Sequence, residues 1–255
     1  MARYAITWGG GGALSLSAAA AVIEAWQAFA GAAPAEIGSI LLVSRAGRGV
    51  ALRCFGVATN PDAGVLTRQL APFTRATGGY LFTPIVQSFA DQARHFSGIG
   101  RLTGKLDDGA FFAPSYYKGS SDIIEAPLGR AGALTLAQAV AANGVTAICD
   151  AYGGAVRDLD DQATAFVHRS RTSFTIQYYA QWSNPRETAA RVAAVERMRP
   201  AMQKVASGAA YCNYCDSGIA NPERAYWGAN ANRLKSIKHS YDPTNLFHHA
   251  QSISA

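Results

Sequence analysis

The chain has 255 residues, 49% hydrophobic and 16% charged, with 23 Lys plus Arg against 17 Asp plus Glu and four cysteines. That length suits one large domain or two small ones, and so few cysteines exclude a disulfide-built scaffold. The basic charges are scattered rather than clustered, which gives no indication of nucleic-acid binding, and no stretch approaches the roughly 20 apolar residues of a membrane helix. A net charge of +6 suits long-range attraction of an acidic partner or an anionic cofactor.

Residues 4–8 have the composition of a strand. The apolar run 13–23 superficially imitates a secretory leader, but Gly9 to Gly12 and Glu24 interrupt it. It reads better as a helix, capped by Ser17, running through Ala21, Trp26 and Phe29 and closed by Gly31 and Pro34. A reduced, cytoplasmic setting is the expectation. Residues 39–45 and 50–58 form a hairpin around the turn AGRG. A second helix is expected over 62–74, a weak strand over 85–89 and a third helix over 134–143. Two strong strands follow in VTAICDAYGG and SFTIQYYAQW, and the spacing of Val192, Val195, Met198 and Met202 predicts one long helix over 184–206. Paired strands followed by single helices predict an α+β fold: an antiparallel sheet with helices on one face. After residue 206 the sequence turns rich in Asn, Tyr, Trp and His, which divides the chain into a body, 1–206, and a C-terminal tail, 207–255.

Two motifs invite chemistry. The run Gly9 to Gly12 lies between a strand and a helix, where a phosphate-binding turn would lie, but the spacing G-x-G-x-x-G is not met and no G-K-S or G-K-T follows. It reads as a connection. The stretch AAYCNYCDSG holds Cys212 and Cys215 in a C-x-x-C spacing. One such pair supplies two metal ligands where zinc takes four, and His248 and His249 are adjacent rather than suitably spaced. No metal site is expected, and the two cysteines are expected to pack as small hydrophobes. The alternation Tyr211, Cys212, Asn213 reads as a strand, with Tyr211 and Asn213 on one face and Tyr214 on the other.

The remaining letters carry a resemblance. Tyr211, Asn213, Tyr214 and Asp216, then Tyr226, Trp227, Gly228, Asn230, Arg233, Leu234, Lys238, Tyr241, Asp242, Pro243, Asn245, Phe247, Gln251, Ser252 and Ile253, resemble the C-terminal signature of the berberine bridge enzyme-like, FAD-linked oxidases. YGG at 152–154, TAFVHR at 164–169 and the strand SFTIQYYAQW resemble the same family's substrate domain. The resemblance implies an antiparallel sheet of about seven strands whose open face roofs a flavin, and a tail that packs on an FAD-binding domain. It covers the latter half of such an enzyme, with Met1 standing where the substrate domain begins. It leaves open a split subunit, a remnant and a flavin-free descendant.

By the same resemblance the activity is oxidation of an alcohol, a sugar or a phenolic or polyketide-type natural product by hydride transfer to flavin. Tyr211 then corresponds to the base, assisted by Gln177. Asn213, Tyr214 and Asn230 contact the flavin, and Tyr116, Tyr117 and Tyr179 edge the substrate pocket. FAD is implied for the family and expected to be poorly retained by this chain alone. A separate FAD-binding chain, or self-association through 207–255, is the expected partnership. The alternative is a flavin-free protein that binds or cyclises a hydrophobic small molecule. His168, Arg169 and Asp242 read as structural.

Overall fold

A computed structural model describes residues 1–97 and 115–254. Its centre is an antiparallel sheet of eight strands: β1 (Ala2–Thr7), β2 (Ile40–Ala46), β3 (Gly49–Ala58), β4 (Tyr80–Leu81), β5 (Ile85–Val86), β6 (Tyr116–Ile124), β7 (Thr146–Ala151) and β8 (Phe174–Trp182). The spatial order is β4-β1-β3-β2-β7-β8-β6, with β5 also pairing with β1. Helices α1 (Leu16–Ala32), α2 (Ala63–Thr77), α4 (Gly129–Asn143), α5 (Thr188–Glu196) and α6 (Met198–Met202) contribute buried faces to one core with the sheet, while α3 (Phe89–Ser97) follows β5. The expected α+β class and one-sided helical layer are what the chain adopts.

Alternation along the strands sorts residues between two environments. Ile6, Leu41, Val43, Cys54, Ala147, Cys149, Ile176 and Tyr178 are fully buried beneath the helices. The opposite face carries Leu42, Phe55, Val57, Ile148, Gln177 and Tyr179 at intermediate exposure. Trp26 of α1 locks the layers together: it is completely buried, donates its indole N–H to Ser39 Oγ at 2.9 Å and meets Phe174 edge-on at 5.3 Å.

Several local expectations need correction. Ser15, not Ser17, caps α1, with its Oγ accepting from Ala18 N at 3.2 Å. Phe89 opens α3 instead of ending a strand, because Ser88 Oγ accepts from Asp91 N. The helix expected over 184–206 is broken into a 3-10 turn (Pro185–Glu187), α5 and α6. Pro200 has no N–H to give to the Glu196 carbonyl, so the turn there cannot continue as one helix. Strand β6 escaped the sequence reading because Lys118, Gly119, Ser120, Ser121 and Asp122 break any apolar alternation. Gly9, Gly10 and Gly11 all take positive φ (57°, 63° and 84°) in a 3-10 turn, a conformation glycine adopts without a Cβ clash.

The tail begins on the free edge of β6, where Ser207 N donates to Ile123 O and Ile123 N to Ala209 O. It continues through α7 (Pro222–Trp227) and α8 (Ala231–Tyr241) around a small apolar cluster of Ala210, Ile219, Ala225 and Tyr226. Its signature residues are joined by polar bonds. Asp216 pairs with Lys118 at 2.5 Å, its N–H donates to Tyr226 Oη at 3.0 Å, and its carbonyl accepts from Gln251 Nε2 at 2.8 Å. Asp242 accepts from the N–H groups of Leu246 and Phe247, which is the turn-fixing role expected of it.

Candidate active site on the open sheet face

The register puts Gln177 between Ile148 of β7 and Ser121 of β6, all three on the face opposite the helices. Ser121 Oγ accepts from Tyr211 N at 2.9 Å, which pins the start of the C-x-x-C stretch to the same end of the sheet. The Gln177 amide lies beside Gly119, where a Cβ would meet its Nε2 at 3.5 Å in ordinary contact.

Tyr211 to Tyr214 is a tight turn rather than a strand, closed by Tyr214 N donating to Tyr211 O at 3.0 Å. The face assignment made from alternation therefore fails for Tyr214. Asn213 Nδ2 donates to Tyr211 Oη at 2.8 Å, and the Tyr214 ring meets the Tyr211 ring edge-on at 4.9 Å. All three side chains lie together. The turn also overturns the expectation that both cysteines pack as small hydrophobes: Cys212 touches the tail's apolar cluster, but Cys215 is exposed.

Phe166 meets Tyr211 edge-on at 5.5 Å and neighbours Tyr152 at 6.4 Å, while the Arg169 guanidinium stands 5.1 Å over the Phe166 ring. Tyr152, Phe166, Tyr211 and Tyr214 thus form an aromatic wall at the end of β7. Asp150, two residues before Tyr152, shares the open face with Ile148. It makes no ion pair or side-chain hydrogen bond among the described residues, and burial pushes its carboxyl up to about 6. Burial, reinforced by the charges of Asp150, Tyr211 and Tyr152, pushes Tyr214 up to about 12. Burial likewise raises Tyr152, against the opposing charge of Arg169. Around neutral pH, then, Tyr152 and Tyr214 hold their protons, while Asp150 is the group poised to exchange one. Sequence reasoning missed Asp150, Tyr152 and Phe166. The available signal was an acid in phase with the uncovered face of TAICDA.

Tyr117 and Tyr179 extend this surface, stacked at 6.2 Å, whereas Tyr116 stacks on Trp182 in the adjacent register row, on the helical side. Asn230 is buried, and its amide donates to the carbonyls of Thr164 (2.8 Å) and Asp161 (3.2 Å), anchoring the loop that leads to Phe166. His168 Nε2 lies 3.0 Å from Ala225 O, and burial lowers its pKa, in keeping with a structural role. A cleft of about 780 Å³ lies elsewhere, between α6 and the tail. Asp122 and Asp216 on its wall are already paired, with Arg199 and Lys118. Among the described residues no group of three or more His, Cys, Asp or Glu side chains is placed to hold a metal ion, and no helix is long and apolar enough to cross a membrane.

This geometry has counterparts. Residues 210–254 match the family model for berberine and berberine-like proteins. The uncharacterized FAD-linked oxidoreductase YvdP of Bacillus subtilis (strain 168) is 39% identical over 102 residues, covering 40% of this chain and 22% of that protein. The chain is similar to the berberine bridge enzyme-like proteins. Berberine bridge enzyme in complex with (S)-reticuline superposes with a TM-score of 0.84 at 17% identity, over 99% of this chain and 55% of the enzyme. Chitooligosaccharide oxidase gives 0.83 at 24% identity, with 99% and 55% coverage. The chain therefore has the fold of the substrate-binding domain of these enzymes together with the berberine-like C-terminal segment, and spans about half the length of the solved structures it matches.

Proposed function

We propose that this chain is the substrate-side half of an FAD-dependent oxidoreductase acting on an alcohol, a sugar or a phenolic natural product, with 1–206 as the substrate-binding domain and 207–255 as its closing segment. The observation that carries the reading is the Asn213-bound Tyr211 hydroxyl grouped with Tyr214, Tyr152 and the Asp150 carboxyl at one end of the helix-free sheet face that also carries Gln177. The donor set fits a flavin. A planar aromatic ring with a polar edge suits an apolar floor of Leu42, Ile148 and Tyr179 bordered by amides and phenols. A bound flavin would supply the hydride acceptor.

This chain's own residues handle position and proton. Asn213 donates to the Tyr211 oxygen, which leaves the hydroxyl hydrogen of Tyr211 free to engage another acceptor. Tyr211 passes its own hydroxyl hydrogen on as it takes the substrate's hydroxyl proton. Asp150, ionised near neutral pH but close to its titration point, receives it onward. Gln177, Asn213 and Tyr214 orient the ring, Tyr117 and Tyr179 bound the substrate, and Asn230 holds the loop behind Phe166. Exposed Tyr241, Leu246 and Phe247 of the tail are the surface proposed to meet an FAD-binding chain or a second copy.

The test is co-expression with the FAD-binding half of a relative. A yellow complex reduced anaerobically by a member of a panel of sugars and phenolic alcohols supports the reading. Tyr211→Phe should retain the flavin and slow its reduction by about two to four orders of magnitude, the range expected for a positioned base. Equal reduction rates in the variant would remove Tyr211 from the mechanism. Ligand binding by this chain with no flavin captured would favour the flavin-free alternative.

A further inference from the structure

We propose that Cys212 and Cys215 form a reversible disulfide, with a hydroperoxide as oxidant, that closes the turn carrying Asn213 and Tyr214. Cys212 lies inside the Tyr211–Tyr214 turn and Cys215 directly follows it, with Cys215 Sγ 3.0 Å from the Cys212 carbonyl oxygen, to which it donates. No regular element separates them, and a thiol resting on the carbonyl three residues back brings the pair within reach of the roughly 4.4–6.8 Å Cα separation that a disulfide needs. Cys212 is half-buried and Cys215 exposed, so an oxidant reaches the pair. Cys54 and Cys149 differ on every count: both are buried on the helical side of the sheet, and burial pushes the Cys54 thiol up to about 11 and Cys149 higher still. They are inert by comparison.

The chemistry balances without a cofactor. The Cys215 thiolate attacks one oxygen of hydrogen peroxide, forming a sulfenic acid and releasing hydroxide, which takes up the thiol's proton to give water. The Cys212 thiol then attacks the Cys215 sulfur, forming the S–S bond and expelling a second water. Two thiols lose two electrons, and one peroxide is reduced to two waters. Closing the ring withdraws Cys215 from the Cys212 carbonyl and constrains Asn213 and Tyr214, the two residues between. These are the residues whose amide and ring contact Tyr211.

The experiment is peroxide titration of the purified chain at neutral pH, followed by denaturation, maleimide labelling, trypsin digestion and mass spectrometry. Cleavage after Lys204 and Arg224 releases both cysteines in one peptide, 205–224. Labelled thiols should fall from the four free cysteines to two. The 205–224 peptide should appear unlabelled and two hydrogens lighter, and dithiothreitol should restore it. In Cys215→Ser, Cys212 should remain free of any intramolecular link. Three outcomes would overturn the proposal: double labelling of this peptide after peroxide treatment, conversion of Cys215 to a sulfinic acid without a cross-link, or linkage of either cysteine to Cys54, Cys149 or another chain. The readout is a mass and a thiol count, so it stands whether or not the chain serves a flavin.

Discussion

The body and the tail of this molecule are held by different physics. In the body, a continuous apolar core spans the sheet and its helices, with Trp26, Leu41, Ile176 and Tyr178 at its centre. The tail's own apolar cluster is small, Ala210, Ile219, Ala225 and Tyr226, and the tail is fastened largely by Asp216, Tyr226, Gln251 and Asn230 through hydrogen bonds and the Asp216–Lys118 ion pair. A large apolar core tolerates polar irregularity at its edge, whereas a segment with little apolar area depends on each polar partner. Signature residues that look catalytic in the sequence are therefore partly tail fasteners.

The sharpest way to break this contrast is at its two anchors. Trp26→Ala should cost about 3–5 kcal/mol in denaturant unfolding, from the lost packing of a large buried ring and the stranding of its hydrogen bond; a cost below ~1 kcal/mol would mean the core repacks freely. Asp216→Asn should cost roughly 2–3 kcal/mol, since it removes the partner of a nearly buried Lys118. Its damage should be local, read as faster proteolysis of the tail than of the body.

The two aspartates also titrate in opposite senses. Burial works to raise Asp216, but the hydrogen bonds it accepts from Lys118 and the Gly218 N–H, together with the Lys118 charge, outweigh it and hold the carboxyl below its usual range. Its stabilising contribution is then complete above the unfolded value of about 4 and is lost as pH falls through the lower folded value. Asp150 is raised to about 6. The folded state binds its proton more tightly, so stability falls as pH rises from about 4 to 6 and the penalty is full above that. Asp150→Asn should therefore stabilise the chain at pH 7–8 by on the order of 2 kcal/mol and change nothing near pH 4. A uniform effect across pH would show that Asp150 carries no ionisation strain. The smallest effect is expected at the tail's surface, where Tyr241 is 87% exposed. Tyr241→Ser should shift stability by no more than about 0.5 kcal/mol while reducing apolar-dye binding and any self-association seen by sedimentation.

Much of the architecture was legible in short-range pattern. The hairpin of β2 and β3 announces itself through alternation around AGRG, α2 through its Asp62 cap, and β7 and β8 through β-branched and aromatic runs. Strand β6 was not legible, because its interior is Gly119, Ser120, Ser121 and Asp122, residues that become strand-like only with β8 on one side and the tail on the other. Local alternation likewise misread Tyr211 to Tyr214, since a turn and a strand of four residues share the same letters.

Sequence alone determined the class of the fold, the extent of its strong strands, and the resemblance carried by Tyr211, Asn213, Tyr226 and Gln251. These follow from periodicity and from fixed spacing along the chain, which are local quantities. Only the tertiary structure decided that β7 lies between β2 and β8, that Asp150 and Tyr152 stand beside the Tyr211 turn, and that Cys215 faces solvent. Strand order and loop placement depend on burying apolar surface between segments far apart in sequence, and no short stretch of the chain records that competition.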